Sequence, residues 1–130
     1  MRAPMTGIRS RSGQVLRALA DVPREAYVPE RDRYRAFANA PLPIGHGQTI
    51  SQPFIVALMT ELIRPSPAKR VLEIGTGCGY QTAVLAELCA AVFSVEVIAA
   101  LNREAVARLN KAGYTNVVTR VDNGHLGWRE

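Results

Sequence analysis

Three glycines and one acid are the residues of this chain whose types and spacing point to chemistry. The apolar segment RVLEI at residues 70–74 is followed by Gly75, Gly77 and Gly79 and then by an amphipathic segment. Such glycines let the backbone pass close to a ligand, because no Cβ stands in the way, and the helix that follows offers free N–H groups. Glu96 closes the next apolar segment. An acid about 20 residues beyond the turn suits ribose hydroxyls, so the pattern predicts a nucleotide-cofactor site.

The spacing of these glycines separates two classes of cofactor. A dinucleotide fingerprint requires Gly-x-Gly-x-x-Gly, whereas the sixth position here is Tyr80 and the pattern is Gly-x-Gly-x-Gly. A nicotinamide oxidoreductase is therefore disfavoured. The segment EIGTGCG at residues 73–79 resembles the first motif of class I S-adenosylmethionine-dependent methyltransferases. A purely structural turn is the alternative, and Glu96 argues against it.

Segments outside the glycine turn narrow the resemblance to one family. They read VPREAYVP at residues 22–29, PLPIGHGQTISQP at residues 41–53 and GHLGW at residues 124–128. Together with the turn they resemble protein-L-isoaspartate O-methyltransferases over nearly the whole chain. The resemblance implies a Rossmann-like class I methyltransferase fold. It also implies transfer of a methyl group from S-adenosylmethionine to the free carboxylate of L-isoaspartyl residues in damaged proteins, which is a repair reaction.

The resemblance implies that Ser51 is an active-site residue, because it matches the serine of the family's Thr-Ile-Ser motif. Its hydroxyl would aim the incoming carboxylate. The alternative is that Ser51 merely caps a helix that starts at Gln52, since serine is a common N-cap. Methyl transfer to a carboxylate depends on positioning more than on acid or base catalysis, so His46 is not required as a base.

The cofactor-binding residues implied by the resemblance lie in three loops: Glu73, Gly75, Thr76, Gly77 and Gly79 in the first, Glu96 in the second, and Asn123 and Gly124 in the third. Glu73 would support the turn, and Glu96 would accept from the ribose hydroxyls. The family's third loop reads Gly-Asp-Gly, whereas Asn123 stands at the position of the acid here. Its carbonyl oxygen can accept from the adenine amine without the charge, and Asp122 lies one position earlier.

Hydrophobic periodicity predicts an α/β fold with a partial parallel sheet of three strands. The strands are expected at residues 71–74, 92–96 and 117–121, with helices at residues 80–90 and 98–111 between them. Gly113 is expected to cap the second of these helices. Alternation of this kind predicts right-handed crossovers and a ligand at the carboxyl ends of the strands, where all three candidate loops fall.

An N-terminal helical section is expected before the sheet, with helices at residues 12–20 and 31–38 and a loop at residues 41–51. The next helix starts at Gln52, and Pro65 and Pro67 terminate it. Ile55, Leu58, Met59 and Leu62 fall at i, i+3, i+4 and i+7, a spacing that predicts one apolar face.

Two sections with different roles are therefore expected. Residues 1–51 form the helical section with the substrate and active-site loop, and residues 52–130 form the first half of the S-adenosylmethionine-binding domain. Members of the family continue for several more strands and helices, so we expect a carboxyl-terminally truncated chain. A non-catalytic remnant and a small-molecule methyltransferase stay open as alternatives, although the latter has no reason to carry the segment at residues 41–53.

The charge and composition of the chain limit the classes of partner that we expect it to bind. The 130 residues carry a net charge of +5, and Arg9, Arg11 and Arg17 alternate with apolar residues near the amino terminus. No aromatic residues accompany them to stack on bases, so no nucleic-acid partner is predicted. No stretch reaches the roughly 18 apolar residues of a membrane span. We expect a cytoplasmic monomer that acts on isoaspartyl-containing proteins or peptides.

The two cysteines are predicted to be reduced thiols without a metal. Cys78 and Cys89 are 11 residues apart and form no CxxC motif, so zinc binding is not expected. Cys78 lies near a helix N-terminus, where a thiol can acquire a lowered pKa and react with electrophiles. The simpler interpretation of Cys78 is a small residue in a tight turn.

Overall fold

The computed structural model describes residues 13–128, which form four α-helices and five β-strands. In chain order these are α1 (Gly13–Asp21), β1 (Leu42–Gly45), β2 (Gln48–Ile50), α2 (Pro53–Leu62), β3 (Arg70–Ile74), α3 (Tyr80–Leu88), β4 (Ala91–Glu96), α4 (Ala99–Lys111) and β5 (Val117–Val121). Three short 3₁₀ helices, at Arg24–Tyr27, Glu30–Arg35 and Gly124–Leu126, complete the described elements.

The main sheet consists of β3, β4 and β5 in that order, and both pairs of strands are parallel. In register, Ile74 lies beside Val95, and Glu96 lies beside Val121. The predicted three-stranded parallel sheet is therefore confirmed, with each strand within one residue of its expected start. β4 is central and the most buried of the three strands, which agrees with its nearly continuous apolar sequence.

Helices α3 and α4 make the two crossovers of the sheet, and the sequence predicted both within two residues. α3 begins directly after Gly79, which has φ of 93°. α4 ends at Lys111, and Gly113 with φ of +89° donates its backbone N–H to the Asn110 carbonyl. Gly113 thus occupies the left-handed position that terminates a helix, as predicted.

The N-terminal section differs in part from the expectation. The helix expected at residues 12–20 is α1, and residue 12 lies outside the described residues. The helix expected at residues 31–38 is a shorter 3₁₀ helix, Glu30–Arg35. The loop expected at residues 41–51 is wrong, because β1 and β2 pair there as an antiparallel hairpin. His46 and Gly47 have φ of 55° and 71°, the left-handed backbone of a tight hairpin turn.

The predicted apolar face of α2 is not the face that the structure buries. The buried residues are Pro53, Val56, Ala57 and Thr60, whereas Leu58, Met59 and Leu62 are 38%, 53% and 72% exposed. The helix is apolar nearly all round, so periodicity alone cannot choose its buried side. Thr60 can be buried because its hydroxyl donates to the Val56 carbonyl at 2.7 Å and accepts from Gln81 Nε2 at 2.9 Å.

The core joins the N-terminal section to the sheet. One cluster of buried apolar side chains includes Val15 of α1, Leu42 of β1, Val84 of α3 and Leu101 of α4. The hairpin is therefore packed on the same core as the crossover helices, which places it near the carboxyl end of β3. No helix within residues 13–128 combines the length and apolarity that crossing a membrane requires. Arg9 and Arg11 of the expected basic segment lie outside the described residues.

Candidate functional site

The turn between β3 and α3 depends on its glycines. Gly75, Gly77 and Gly79 have φ of +93°, +56° and +93°, values that residues with a Cβ rarely adopt. The Gly75 N–H donates to the Val95 carbonyl at 2.8 Å, so β4 holds the first residue of the turn. A Cβ added to Gly75 would meet nothing within 4 Å. The turn therefore presents open space at its first glycine, as a cofactor cradle requires.

Gly79 has a packing role in addition to its backbone conformation. A Cβ at this position would lie 3.3 Å from the Ala105 Cβ, so glycine at residue 79 lets α4 pack close to the turn without a tight contact. Arg108 of the same helix donates from Nη1 to the Cys78 carbonyl at 3.2 Å. α4 thus supports the turn from the side.

Glu96 lies at the carboxyl end of β4 and is 5% exposed. Its Oε1 accepts from the Gly77 N–H at 2.8 Å, and its Oε2 accepts from the Ile98 N–H at 2.9 Å. The carboxylate thereby joins the glycine turn to the start of α4. Because each carboxylate oxygen has a second lone pair, Glu96 retains capacity to accept further hydrogen bonds.

Glu73 and Thr76 face the interior beneath the turn. Glu73 accepts from Thr82 Oγ1 at 2.5 Å and from Ser94 Oγ at 2.6 Å. Ser94 Oγ is also 2.6 Å from Thr76 Oγ1, so four polar side chains form one buried network. Burial raises the pKa of Glu73 to about 7, although the two hydroxyl donors oppose that shift. Both predicted residues support the turn through this buried network, and each also borders a cavity next to the turn.

The loop after β5 packs against the end of β3. Asn123 is exposed, its Oδ1 accepts from the His125 N–H at 3.0 Å, and its own N–H donates to Asp122 Oδ1 at 2.7 Å. A Cβ at Gly124 would lie 2.4 Å from Ile74 Cγ2. Gly124 is therefore needed for close packing against Ile74, a reason that its position in the sequence did not reveal.

Ser51 does not cap α2, so the capping interpretation is wrong. Gln52 is the N-cap residue, no side chain of a capping residue bonds there, and Pro53 has no N–H to be capped. The Phe54 N–H is instead taken by Asn39 Oδ1 at 3.1 Å, a partner that sequence reasoning missed. Ser51 itself is exposed. Its hydroxyl is thus available for a role other than helix capping.

The structure brings Ser51 to the glycine turn. A cavity of about 70 Å³ is lined on one side by Thr49, Ile50 and Ser51, and on the other by the turn residues 75–78 and by Tyr80 and Gln81. A neighbouring cavity of about 280 Å³ shares Ser51, Gly75 and Gln81 and extends along Met59, Ile63, Leu72 and Ile74. The hairpin and the turn are more than 20 residues apart in sequence but form the two walls of one site.

Tyr27, Tyr80 and both cysteines are shielded from solvent. Burial raises the pKa of both Tyr27 and Tyr80 to about 12, and their rings meet edge to face with centroids 5.8 Å apart. Cys78 and Cys89 are unpaired and buried. Burial raises the pKa of Cys78, so the activated-thiolate interpretation of this residue is wrong.

These features define a class of protein. A parallel sheet whose first strand enters a Gly-x-Gly-x-Gly turn, with an acid from the second strand binding that turn, is the cofactor-binding half of the class I S-adenosylmethionine-dependent methyltransferase fold. The family model of protein-L-isoaspartate(D-aspartate) O-methyltransferase matches residues 5–130. The chain belongs to this family.

Curated relatives agree with that assignment. The chain is 51% identical over 125 residues to protein-L-isoaspartate O-methyltransferase 2 of Polaromonas sp., a match that covers 96% of this chain and 59% of the relative. It is 53% identical over 116 residues to protein-L-isoaspartate O-methyltransferase of Picosynechococcus sp., covering 89% of this chain and 52% of the relative. The chain thus spans about half the length of the curated relatives it matches.

Solved structures share the fold. A protein-L-isoaspartate O-methyltransferase superimposes with a TM-score of 0.81 at 28% identity, covering 90% of this chain and 39% of that one. A putative protein-L-isoaspartate O-methyltransferase from Plasmodium falciparum, in complex with S-adenosyl-L-homocysteine, superimposes with a TM-score of 0.73 at 23% identity. The second match covers 87% of this chain and 56% of that one and shows likeness of fold.

Proposed function

We propose that the protein transfers the methyl group of S-adenosylmethionine to the free carboxylate of L-isoaspartyl residues in damaged proteins, and so takes part in protein repair. Membership of the family supports this reaction. The proposal rests on one observation, namely that Ser51 and the glycine turn line the same cavity. A site that unites a substrate-side hydroxyl with a cofactor turn is what methyl transfer between two bound molecules requires.

The residues of the site fit S-adenosylmethionine. Gly75 presents open space at the turn, and Glu96 has lone pairs left for ribose hydroxyls. Asn123 lies in the third loop, where its amide would face the adenine, and Gly124 lets that loop approach β3. When bound, the cofactor would supply an electrophilic methyl group, and the electron pair of the broken bond would stay on its sulfur.

The contribution of the protein is then to position the substrate carboxylate. A carboxylate at neutral pH is already ionised, so no general base is needed. The Ser51 hydroxyl can donate a hydrogen bond to one carboxylate oxygen and leave the other free to attack. Holding two reactants in line can account for a large part of a rate enhancement, so a hydrogen-bond donor that orients the carboxylate is sufficient for this role of Ser51.

The test is methyl transfer to a peptide that contains one isoaspartyl residue, beside the same peptide with an ordinary aspartyl residue. We expect methylation of the isoaspartyl peptide alone. Ser51→Ala should lower kcat/KM roughly 10- to 150-fold, the loss expected when a hydrogen bond to a charged group worth about 1.5–3 kcal/mol is removed. Affinity for S-adenosylhomocysteine should not change.

Ser66→Ala is the matched control, because Ser66 lies in the connection between α2 and β3 and does not line either cavity of the site. Equal methylation of both peptides, or full activity of Ser51→Ala, would contradict the proposal. Binding of S-adenosylhomocysteine without any methylation would favour the non-catalytic alternative. Methylation of small carboxylic acids but not of peptides would favour a small-molecule methyltransferase.

We further propose that the protein acts as a cytoplasmic monomer on isoaspartyl-containing proteins or peptides, without nucleic-acid or membrane partners. The two unpaired cysteines agree with a reducing compartment. In this proposal residues 1–51 provide the substrate side and residues 52–130 the cofactor side, while sharing one core. Light scattering tests the mass in solution, and retention on heparin or on anionic vesicles would contradict the proposed absence of such partners.

A further inference from the structure

Arg24 is a buried cation that does not line the cavities of the candidate site. It lies in the 3₁₀ helix Arg24–Tyr27 and is 0% exposed. It forms no ion pair within residues 13–128. Burial lowers the pKa of Arg24, although an arginine remains charged under ordinary conditions. A buried guanidinium without a carboxylate is destabilising, whereas an apolar side chain of similar volume would not be.

The guanidinium contacts three separate parts of the chain. Its Nε donates to the Ala36 carbonyl at 2.5 Å, and its Nη2 donates to the Ser51 carbonyl at 2.9 Å. Its central carbon lies 4.9 Å from the centroid of the Tyr80 ring, within the range of a cation–π interaction. Nη1 is buried without a hydrogen-bond partner among the described residues.

These contacts connect the two walls of the candidate site. Ser51 is the substrate-side residue, and Tyr80 is the first residue of α3, directly after the glycine turn. One planar, rigid side chain therefore holds the backbone of the hairpin exit against the start of the cofactor helix. A lysine could not reproduce this arrangement, because its ammonium group has no planar fork and does not stack on a ring in the same way.

The hydrogen bond from Arg24 to the Ser51 carbonyl affects where the Ser51 side chain lies. Within residues 13–128 no partner holds the Ser51 hydroxyl, and the N-cap position of α2 is occupied by Gln52. The hydrogen bond from Arg24 to the Ser51 carbonyl is thus the contact that sets this peptide unit. A shift of about 1 Å in a positioning group can reduce a rate about 100-fold. Loss of the hydrogen bond from Arg24 should therefore move Ser51 and slow methyl transfer to the substrate carboxylate.

We infer that Arg24 is a positioning residue that sets the place of Ser51 relative to the glycine turn. The inference rests on the proposed function, in which Ser51 aims the substrate carboxylate. Arg24 is shielded from solvent, so it acts through the Ser51 backbone and the Tyr80 ring and does not touch the substrate.

The experiment compares the purified protein with its Arg24→Lys and Arg24→Met variants, and with Arg33→Lys as the matched control. Arg33 lies in the 3₁₀ helix Glu30–Arg35 and is exposed. Four quantities are measured: Tm, Kd for S-adenosylhomocysteine, kcat and KM for the isoaspartyl peptide, and amide hydrogen exchange across the chain.

For Arg24→Lys we expect Kd for S-adenosylhomocysteine to stay within about threefold of wild type while kcat/KM for the peptide falls roughly 10- to 100-fold. Exchange should become faster in the segment at residues 48–54 and stay unchanged in β4 and α4. Arg24→Met should show the same pattern, and Arg33→Lys should behave as wild type. If Arg24→Met fails to fold, the Arg24→Lys variant still tests whether Arg24 positions Ser51.

Two outcomes would overturn the inference. One is unchanged exchange at residues 48–54 together with unchanged kcat/KM. The other is faster exchange spread evenly over the whole chain, which would make Arg24 a general core residue. If the wild-type protein methylates no isoaspartyl peptide, the proposed function fails by itself, and the hydrogen-exchange pattern still tests whether Arg24 anchors Ser51.

Discussion

The backbone N–H of Gly77 donates to Oε1 of Glu96 at 2.8 Å, across 19 positions of sequence. The other carboxylate oxygen accepts from the Ile98 N–H. One acid at the end of β4 therefore holds the glycine turn in place before any ligand arrives. Glu96 is expected to bind the ribose hydroxyls, and it also holds the glycine turn. Its removal should therefore alter both the conformation of the turn and the binding of the ligand.

Glu96→Ala should lower affinity for S-adenosylhomocysteine at least tenfold, since hydrogen bonds to a charged group contribute about 1.5–3 kcal/mol. Isothermal titration calorimetry provides the measurement. The control is Glu104→Ala on the exposed side of α4, which should bind as the wild type does. Equal affinities of the two variants would show that Glu96 takes no part in binding.

The raised pKa of Glu73, about 7, predicts a pH-dependent stability. Between about pH 4.5 and pH 7 the folded protein holds a proton on Glu73 that the unfolded chain has released, so the free energy of unfolding falls as pH rises. The loss is on the order of 3 kcal/mol by pH 8, and it is present in full above the folded-state pKa. Denaturant unfolding at several pH values measures it.

Glu73→Gln should remove this contribution and flatten the stability profile between pH 5 and pH 8. Glutamine stays neutral and can still accept from Thr82 and Ser94 through its carbonyl oxygen. Glu104→Gln, an exposed counterpart, should keep the wild-type slope. A Glu73→Gln profile parallel to that of the wild type would mean that Glu73 is ionised in the folded protein throughout this range.

Gly124→Ala should destabilise the protein by about 1–3 kcal/mol, the usual range for overpacking a filled position. The new Cβ would meet Ile74 Cγ2 at 2.4 Å, and either the loop after β5 or the Ile74 side chain must move. Gly13→Ala is the control, because a Cβ there meets nothing within 4 Å. Thermal unfolding compares the two variants.

A double-mutant cycle with Ile74→Ala identifies the cause. If the steric clash is responsible, Gly124→Ala should be tolerated much better in the Ile74→Ala background than in the wild type. Equal destabilisation in both backgrounds would point to a cause other than contact with Ile74.

Cys78 and Cys89 should react slowly with a thiol reagent such as Ellman's reagent in the folded protein. They are 3% and 6% exposed, and burial raises the pKa of both thiols, which reduces the thiolate fraction. Addition of denaturant should release two thiols per chain at the rate of free glutathione. Fast labelling without denaturant that is abolished by Cys78→Ser would show that the turn opens readily around Cys78.

The strand–turn–helix unit around the glycines was predictable because its signals are local. A short apolar strand, glycines at fixed spacing and a helix-forming segment each restrict the backbone within a few residues. The expectation that this helix is amphipathic is wrong, because α3 is buried on nearly all sides. The same holds for the termination of α4 by Gly113. Family resemblance predicts a substrate-side role for Ser51, which stays a prediction, and the structure shows that Ser51 and the turn line one cavity.

The predictions for α2 and for residues 41–51 are wrong because the local sequence there is compatible with more than one structure. α2 is apolar on nearly all sides, and the buried face follows from Thr60 meeting Gln81, 21 positions later. The hairpin formed by β1 and β2 lacks a strong strand pattern and depends on left-handed backbone at His46 and Gly47. Neither feature could be read from periodicity within a single segment.

The sequence by itself determined the alternation of strands and helices, the glycine turn and the acid that ends β4, because each depends on residues close together in the chain. Only the tertiary structure decided that Glu96 binds the turn, that Gly124 packs on Ile74, and that Arg24 anchors Ser51 27 positions away. These relationships are contacts between distant segments. Their geometry exists only when a common core brings those segments together.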